Sequence, residues 1–331
     1  MSLYSDVEFM LRRGSASMLK VDAVLRVFKK TIKKNSEAVT YNSFSPKIRY
    51  NLCCTRILQR NFSDWSGWKH RDEWAEAMAD GIKTIPFWRG ENVKNLVIIG
   101  EQGIGDEILF ASVIPEAMVR CENVTYCCDE RLVIPLARSL PGLHTKTRYV
   151  DAREDLIGGY DAFIPAADLM ALFRLRPEHF ARRPFLRVNQ DRVAEFKRYE
   201  GRIGLSWSGR HGYIDPLELG IDNPISLQYN ESHPSVEIPF NADGTQLDLR
   251  NDIEGIIALC YVLSKVVTVP TSVWHFSAAV GTATEVIITP PASERDIDGI
   301  VDQLDWHCPI GNSPWYAKSI VYKNIKEWKR R

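Results

Sequence analysis

The rhythm of hydrophobic and polar positions changes twice along the chain. Up to about residue 90 the apolar side chains recur at helical spacing. Val21, Val24, Leu25, Phe28 and Ile32 form one stripe, Leu52, Ile57 and Leu58 a second, and Trp65, Trp68 and Trp74 a third. A polar break, Asn61 to Asp64, parts the last two, so the spacing predicts a helix pair. One pair cannot bury its own core, which implies a helical appendage packed on the next domain, with Pro86-Phe87-Trp88-Arg89-Gly90 as connector.

From Val93 the pattern alternates strand and helix. Leu96–Ile99 has the length and β-branched content of a buried strand, and Gly100, Gly103 and Gly105 break it before a helix over Glu107–Arg120, which Pro115 should kink. Val124–Cys128 predicts a strand and Arg131–Leu140 a helix ended by Pro141-Gly142, with fainter pieces at Tyr160–Ile164 and Ala167–Phe173. Gly201 opens a second unit of the same kind. Its strands are Ile203–Trp207, Ile225–Gln228, Val266–Val269 and Glu285–Thr289, the last ended by Pro290-Pro291, and its helices are Ile253–Leu263 and Thr271–Val280. Strands alternating with helices imply parallel sheets, and two facing sheets place their carboxyl ends across a cleft. The expected division is 1–92 helical, 93–200 and 201–331 each α/β.

Composition narrows the class. The chain has 331 residues and balanced acidic and basic counts, 42 each, so nothing global favours nucleic acid or an anionic membrane surface. Seven cysteines, an odd number without C-x-x-C spacing, fit a reducing compartment. The N-terminal stretch lacks a basic-then-apolar signal pattern, and no apolar run approaches the roughly 18 to 20 residues of a membrane span. A cytoplasmic, soluble protein is the expectation.

Three stretches carry candidate chemistry. Gly100-x-x-Gly103-x-Gly105-Asp106 is a strand–turn–helix corner whose aspartate either caps its own helix or reaches a ligand. With Asp129 and Glu130 beyond the next strand it also invites a nicotinamide-dinucleotide reading, although the spacing differs from G-x-G-x-x-G. Val269-Pro270-Thr271-Ser272-Val273-Trp274-His275 opens a helix with hydroxyls beside exposed N–H groups, an anion site in which His275 falls on the first turn. Ser206-Trp207-Ser208-Gly209-Arg210-His211 closes a strand with hydroxyls, a glycine and two cations, or is an ordinary polar turn. Metal-ligand spacing, H-E-x-x-H and G-x-S-x-G are absent, so neither a metal site nor a serine hydrolase is expected.

Taken in order, Gly100-Glu-Gln-Gly-Ile-Gly-Asp106 with Phe110 and Pro115, Gly204-Leu-Ser-Trp-Ser-Gly209, Ile225-Ser-Leu-Gln228, Thr268–Gly281 and Ser313-Pro-Trp-Tyr316 resemble a known family. It is that of the glycosyltransferases related to the bacterial ADP-heptose:lipopolysaccharide heptosyltransferases, glycosyltransferase family 9. Trp88-x-Gly-Glu91 precedes these motifs, and the resemblance covers about residues 50–325. Tyr50–Trp74 is similar to the tetratricopeptide repeat that some members carry ahead of the transferase.

The resemblance implies a GT-B fold, two Rossmann-like domains with acceptor on the first and sugar nucleotide on the second. It implies inverting transfer without a metal or other cofactor, to a glycan, lipid-linked or protein acceptor. Asp106 matches the base, Thr271, Ser272 and His275 the diphosphate-binding helix start, and Ser206, Ser208, Gly209 and Arg210 the loop along the nucleotide. Gln228 matches a donor-side residue, and Gly103 and Gly105 the loop that makes room for an acceptor. Two departures stand out: Pro270 occupies a position where members carry Asp, and Arg210-His211 followed by Asp215-Pro216 alters the usual polar stretch. They motivate a second reading, a degenerate GT-B binding or scaffold protein that captures a protein partner through residues 1–90.

Overall fold

The computed structural model describes residues 46–71, 85–148, 159–209, 212–289 and 306–331. The expected helix over 21–32, Trp74, Pro290-Pro291, Arg210 and His211 lie outside the described residues. Two α/β units follow the helix α1 (Pro46–Leu58). The first sheet contains β1 (Val93–Ile99), β2 (Cys121–Cys128), β3 (Leu143–Thr147) and β4 (Ala162–Pro165), in the order β3-β2-β1-β4 and parallel throughout. The second contains β5 (Ile203–Ser206), β8 (Ile225–Ser226), β9 (Lys265–Thr268), β10 (Ala283–Ile287), β11 (Gly311–Asn312) and β12 (Ser319–Tyr322). Its order is β11-β12-β10-β9-β5-β8, and only β11 runs antiparallel. Between β5 and β8 a short antiparallel ladder pairs β6 (Ser208–Gly209) with β7 (Gly212–Tyr213). Two α/β units in tandem, each built on a largely parallel sheet, are what the alternation of strands and helices in the sequence leads one to expect.

Strand alternation explains how the sheets are covered. In β1, Leu96 and Ile98 enter the main hydrophobic cluster, while Val97 on the opposite face packs with Ile85, Cys127 and Phe163. The main cluster is continuous from Cys53 and Trp68 through both units to Trp315 and Val321, so the described part of the N-terminal segment shares one core with them. Trp65 Nε1 donates to the carbonyl of Arg174 at 3.1 Å, Trp68 packs edge-on against Trp306 at 4.8 Å, and Arg60 Nη2 donates to the carbonyl of Ile310 at 2.8 Å. The segment therefore touches both units.

A buried ion-pair network fixes its end. Arg71 makes a bidentate pair with Glu101, 2.7 Å for both bonds, and a further bond to Asp168 Oδ2 at 3.0 Å. Burial alone would lower the Arg71 guanidinium, but Glu101 and Asp168 outweigh it and raise its pKa. Removing one partner of such a network leaves an uncompensated buried charge, at a cost of about 3–5 kcal/mol.

Two expectations need correction or refinement. The helix expected over Glu107–Arg120 is two helices, α2 (Ile104–Ala111) and α3 (Ile114–Met118). Pro115 has no N–H to offer the Ala111 carbonyl and its ring crowds it, so the helix breaks at Ser112-Val113 instead of bending. The Ser112 hydroxyl, donating to the Leu109 carbonyl at 2.6 Å, helps close the end. The Pro86–Gly90 connector lies along the sheet edge, where Trp88 N donates to the Phe163 carbonyl at 2.7 Å and Phe163 N to that of Pro86 at 2.9 Å.

The longer helices that follow among the described residues are α4 (Val133–Ser139), α5 (Asp168–Phe173), α6 (Gln190–Phe196), α7 (Ile253–Val262) and α8 (Ser272–Ala279), with single-turn helices at Pro216–Leu219 and Ile325–Trp328. All seven cysteines are buried and none is in a disulfide. Among the described residues no helix is long and apolar enough to cross a membrane.

Candidate active site

The carboxyl ends of β1 and β9 each feed a helix whose first turn walls the same cavity of about 620 Å³. From the first unit come Gly103, Ile104, Gly105 and Asp106; from the second, Ser208, Gly209, Pro270, Thr271, Ser272 and His275. His307, Tyr229 and Asn230 complete the lining.

Asp106 is the third residue of α2, and its Oδ2 accepts the Gly103 N–H at 3.1 Å. The carboxylate thus satisfies the start of its own helix while facing the cavity. Burial raises its pKa above the ordinary carboxylate value, and His307 partly offsets the rise. The next residue, Glu107, points the other way into the protein. It accepts the Asp129 N–H at 2.7 Å and pairs with Arg148 at 2.9 Å, tying α2 to the ends of neighbouring strands.

The second wall differs at its cap. Thr271 precedes α8 without a side-chain hydrogen bond to it, because the Thr271 hydroxyl is engaged with Thr268 Oγ1 at 3.1 Å, and that hydroxyl donates onward to the Val269 carbonyl at 2.7 Å. No acidic residue occupies the first turn of α8. Its leading N–H groups therefore face the cavity with no internal anion, the arrangement that suits an external one.

His275 is buried, its Nδ1 3.0 Å from the Tyr316 hydroxyl and its ring stacked on Trp274 at 4.9 Å. Burial, with a smaller contribution from His307, holds its pKa well below the ordinary imidazole value, so it is neutral at physiological pH. Tyr316 is held un-ionised by burial and by Asp106.

Two residues expected at the ligand lie off the cavity, and a third lines it under a constraint from the other unit. Ser206 and Gln228 are both buried and neither lines the cavity. Gln228 Oε1 accepts the Ser206 hydroxyl at 3.1 Å and the backbone N–H groups of Trp207 and Ser208 at 3.1 and 3.0 Å, so the pair shapes the turn that carries Ser208 and Gly209. Gly105 lines the cavity, and a Cβ there would meet His275 Cδ2 at 2.8 Å and Ser272 Cα at 2.9 Å. The other unit fills that space. Gly209 is needed for the same kind of reason, a Cβ lying 2.8 Å from Thr271 Cγ2. His307, Tyr229 and Asn230 escaped the sequence reading; the only signal for His307 is its place in Trp306-His307-Cys308, an aromatic run that reads equally as core.

No family model matches the chain. The protein FlbA of Caulobacter vibrioides is 24% identical over 261 residues, covering 65% of this chain and 44% of that protein, so the chain spans less than half the length of this curated relative. Among solved structures, a glycosyl transferase family 9 protein from Veillonella parvula superposes with a TM-score of 0.42 at 13% identity, covering 72% of this chain and 91% of that one. The ADP-heptose lps heptosyltransferase II of E. coli gives 0.45 at 11%, covering 70% and 91%.

Proposed function

We propose that the protein moves a sugar from a nucleoside-diphosphate donor to a hydroxyl acceptor, with inversion and without a metal ion. The observation that carries this reading is the shared cavity in which the Asp106 carboxylate of one unit faces the uncapped helix start of the other. In this reading the diphosphate lies against the leading N–H groups of α8, between the hydroxyls of Ser208 and Ser272. His275, neutral and oriented by Tyr316, meets it as a hydrogen-bonding group and not as a cation. Asp106 takes the proton of the acceptor hydroxyl as its oxygen attacks the anomeric carbon, and the bond to the diphosphate breaks with its electron pair leaving on that group. Burial makes Asp106 a stronger base than an exposed aspartate.

A panel of nucleotide sugars tests the proposal. At least one should raise the melting temperature, since a ligand at 100-fold its dissociation constant adds about 2.7 kcal/mol. No shift and no release of nucleoside diphosphate with any of them overturns it.

Pro270 in the cavity wall favours a second reading, a sugar-nucleotide-binding scaffold without turnover. Binding without transfer or hydrolysis would select it. Under either reading the tetratricopeptide-like segment is a candidate for docking a protein partner, which would have to use a surface other than that of Trp65 and Trp68, since both are buried. A pull-down that keeps every partner after deletion of residues 1–90 counts against that role.

A further inference from the structure

A second cavity, of about 230 Å³, shares no lining residue with the first. It forms where α3, the segment crossing between the units and the loop carrying Trp315 and Tyr316 meet. Its apolar wall is aromatic: Phe180 and Phe185 stand beside Trp315, the Phe180 and Trp315 rings edge-to-face at 5.0 Å.

Its charge is lopsided. Arg174, Arg182 and Arg183 line it with one acid, Glu116, and Arg174 takes that acid at 2.6 Å. Arg182 and Arg183 are exposed, and neither makes an ion pair among the described residues. A further cation is close by, since burial and then the like charge of Arg182 lower the pKa of Arg60. Clustering cations without a counter-charge is unfavourable in a bare protein and is relieved by an anion.

The backbone is also committed to this arrangement. Arg182 sits at φ 52, in the left-handed region, and its carbonyl is held by the Ala317 N–H at 3.1 Å. A non-glycine residue keeps such a conformation only where its surroundings compel it. Here it places two consecutive guanidinium-bearing residues on the rim beside Trp315 and Tyr316.

We propose that this second cavity binds a small phosphorylated ligand of monosaccharide-phosphate size, its phosphate on Arg182 and Arg183 and its body against Trp315 and Phe185. Guanidinium groups match phosphate oxygens in bidentate fashion, and the volume falls below the roughly 300–1,000 Å³ of drug-sized pockets. The inference stands apart from the transferase reading, because the two cavities have separate linings.

Calorimetric titration of the full chain with glucose 1-phosphate, and with glucose and inorganic phosphate as its two halves, tests it. Glucose 1-phosphate should bind, phosphate more weakly and glucose not at all. Arg182→Gly combined with Arg183→Ala should weaken glucose 1-phosphate about tenfold or more, since a charged hydrogen bond is worth roughly 1.5–3 kcal/mol. The glycine relieves the left-handed backbone, so a folding defect does not explain the loss, and Arg183→Lys should retain part of the affinity. Undiminished binding in the double variant, binding displaced by ADP, or no binding of either phosphorylated probe overturns the proposal. If nucleotide sugars fail to bind while glucose 1-phosphate still depends on the arginine pair, the transferase reading falls and this one stands.

Discussion

The two walls of the cleft are built from the same local plan of strand, tight turn and helix, yet they present opposite chemistry to the space between them. At the end of β1 the helix start is filled from within: Gly103 N–H already bonds Asp106, and Glu107 follows it. At the end of β9 the helix start is left open: Thr271 spends its hydroxyl on Thr268, and no acid sits in the first turn. A helix N-terminus favours negative charge wherever it comes from. A corner that carries its own carboxylate is suited to accept a proton, and one that lacks it is suited to hold an incoming anion. Where glycine turns occur does not separate the two; what the first helical turn does with its N–H groups does.

The sharpest way to break the comparison is Asp106→Asn. It should leave donor affinity intact and lower turnover by about 10²–10⁴-fold, measured by release of nucleoside diphosphate; unchanged turnover removes the base role from this wall.

Glu107→Gln separates the inward acid from the outward one. Burial pushes Glu107 up to about 8 from an ordinary 4.5, against the opposing pull of Arg148. A raised acid pKa stabilises the fold fully below pH 4.5 and loses that contribution as pH rises through about 8. The native protein should therefore lose stability relative to Glu107→Gln over that window, by a few kcal/mol in denaturant melts; parallel curves refute the assignment.

Gly105→Ala tests whether the walls touch. Its Cβ would press on the Ser272 backbone, so we expect a loss of about 1–3 kcal/mol in stability together with weaker nucleotide binding. A variant as stable as the parent would show that the contact yields freely.

Thr271→Asp makes the second corner resemble the first. Supplying an internal cap should stabilise the protein by about 1 kcal/mol while weakening nucleoside diphosphate binding, read by melting and by titration. Tighter binding would invert the argument.

The smallest effect is expected from His307→Ala. His307 lowers the Asp106 pKa, so its removal should move the acid limb of the activity profile to higher pH, because the base must be deprotonated to work. A limb that stays put detaches His307 from Asp106.

Strands with strong apolar contrast were legible in the sequence: β1, β2, β5, β9 and β10 fall within a few residues of their expected positions. β3 was not, because Leu-His-Thr-Lys-Thr lies at the sheet edge, where a strand need not be apolar on both faces. The two helix starts were legible because glycine, proline and hydroxyl residues punctuate them. The inward turn of Gln228 was not, since three donors converge on one amide oxygen only after β5 and β8 pair. The same holds for Gly105. A glycine before a helix reads as conformational freedom, and its actual constraint comes from a side chain and a backbone about 170 residues further along the chain.

The close approach of Gly105 to the Ser272 main chain sets the floor of the cleft by backbone packing. Side chains can repack to absorb a change in spacing, but a contact between a glycine and a neighbouring main chain has no such slack. With one hydrophobic core continuous through both units around it, the separation between Asp106 and the start of α8 is a dimension of the folded core and not of the cleft's lining.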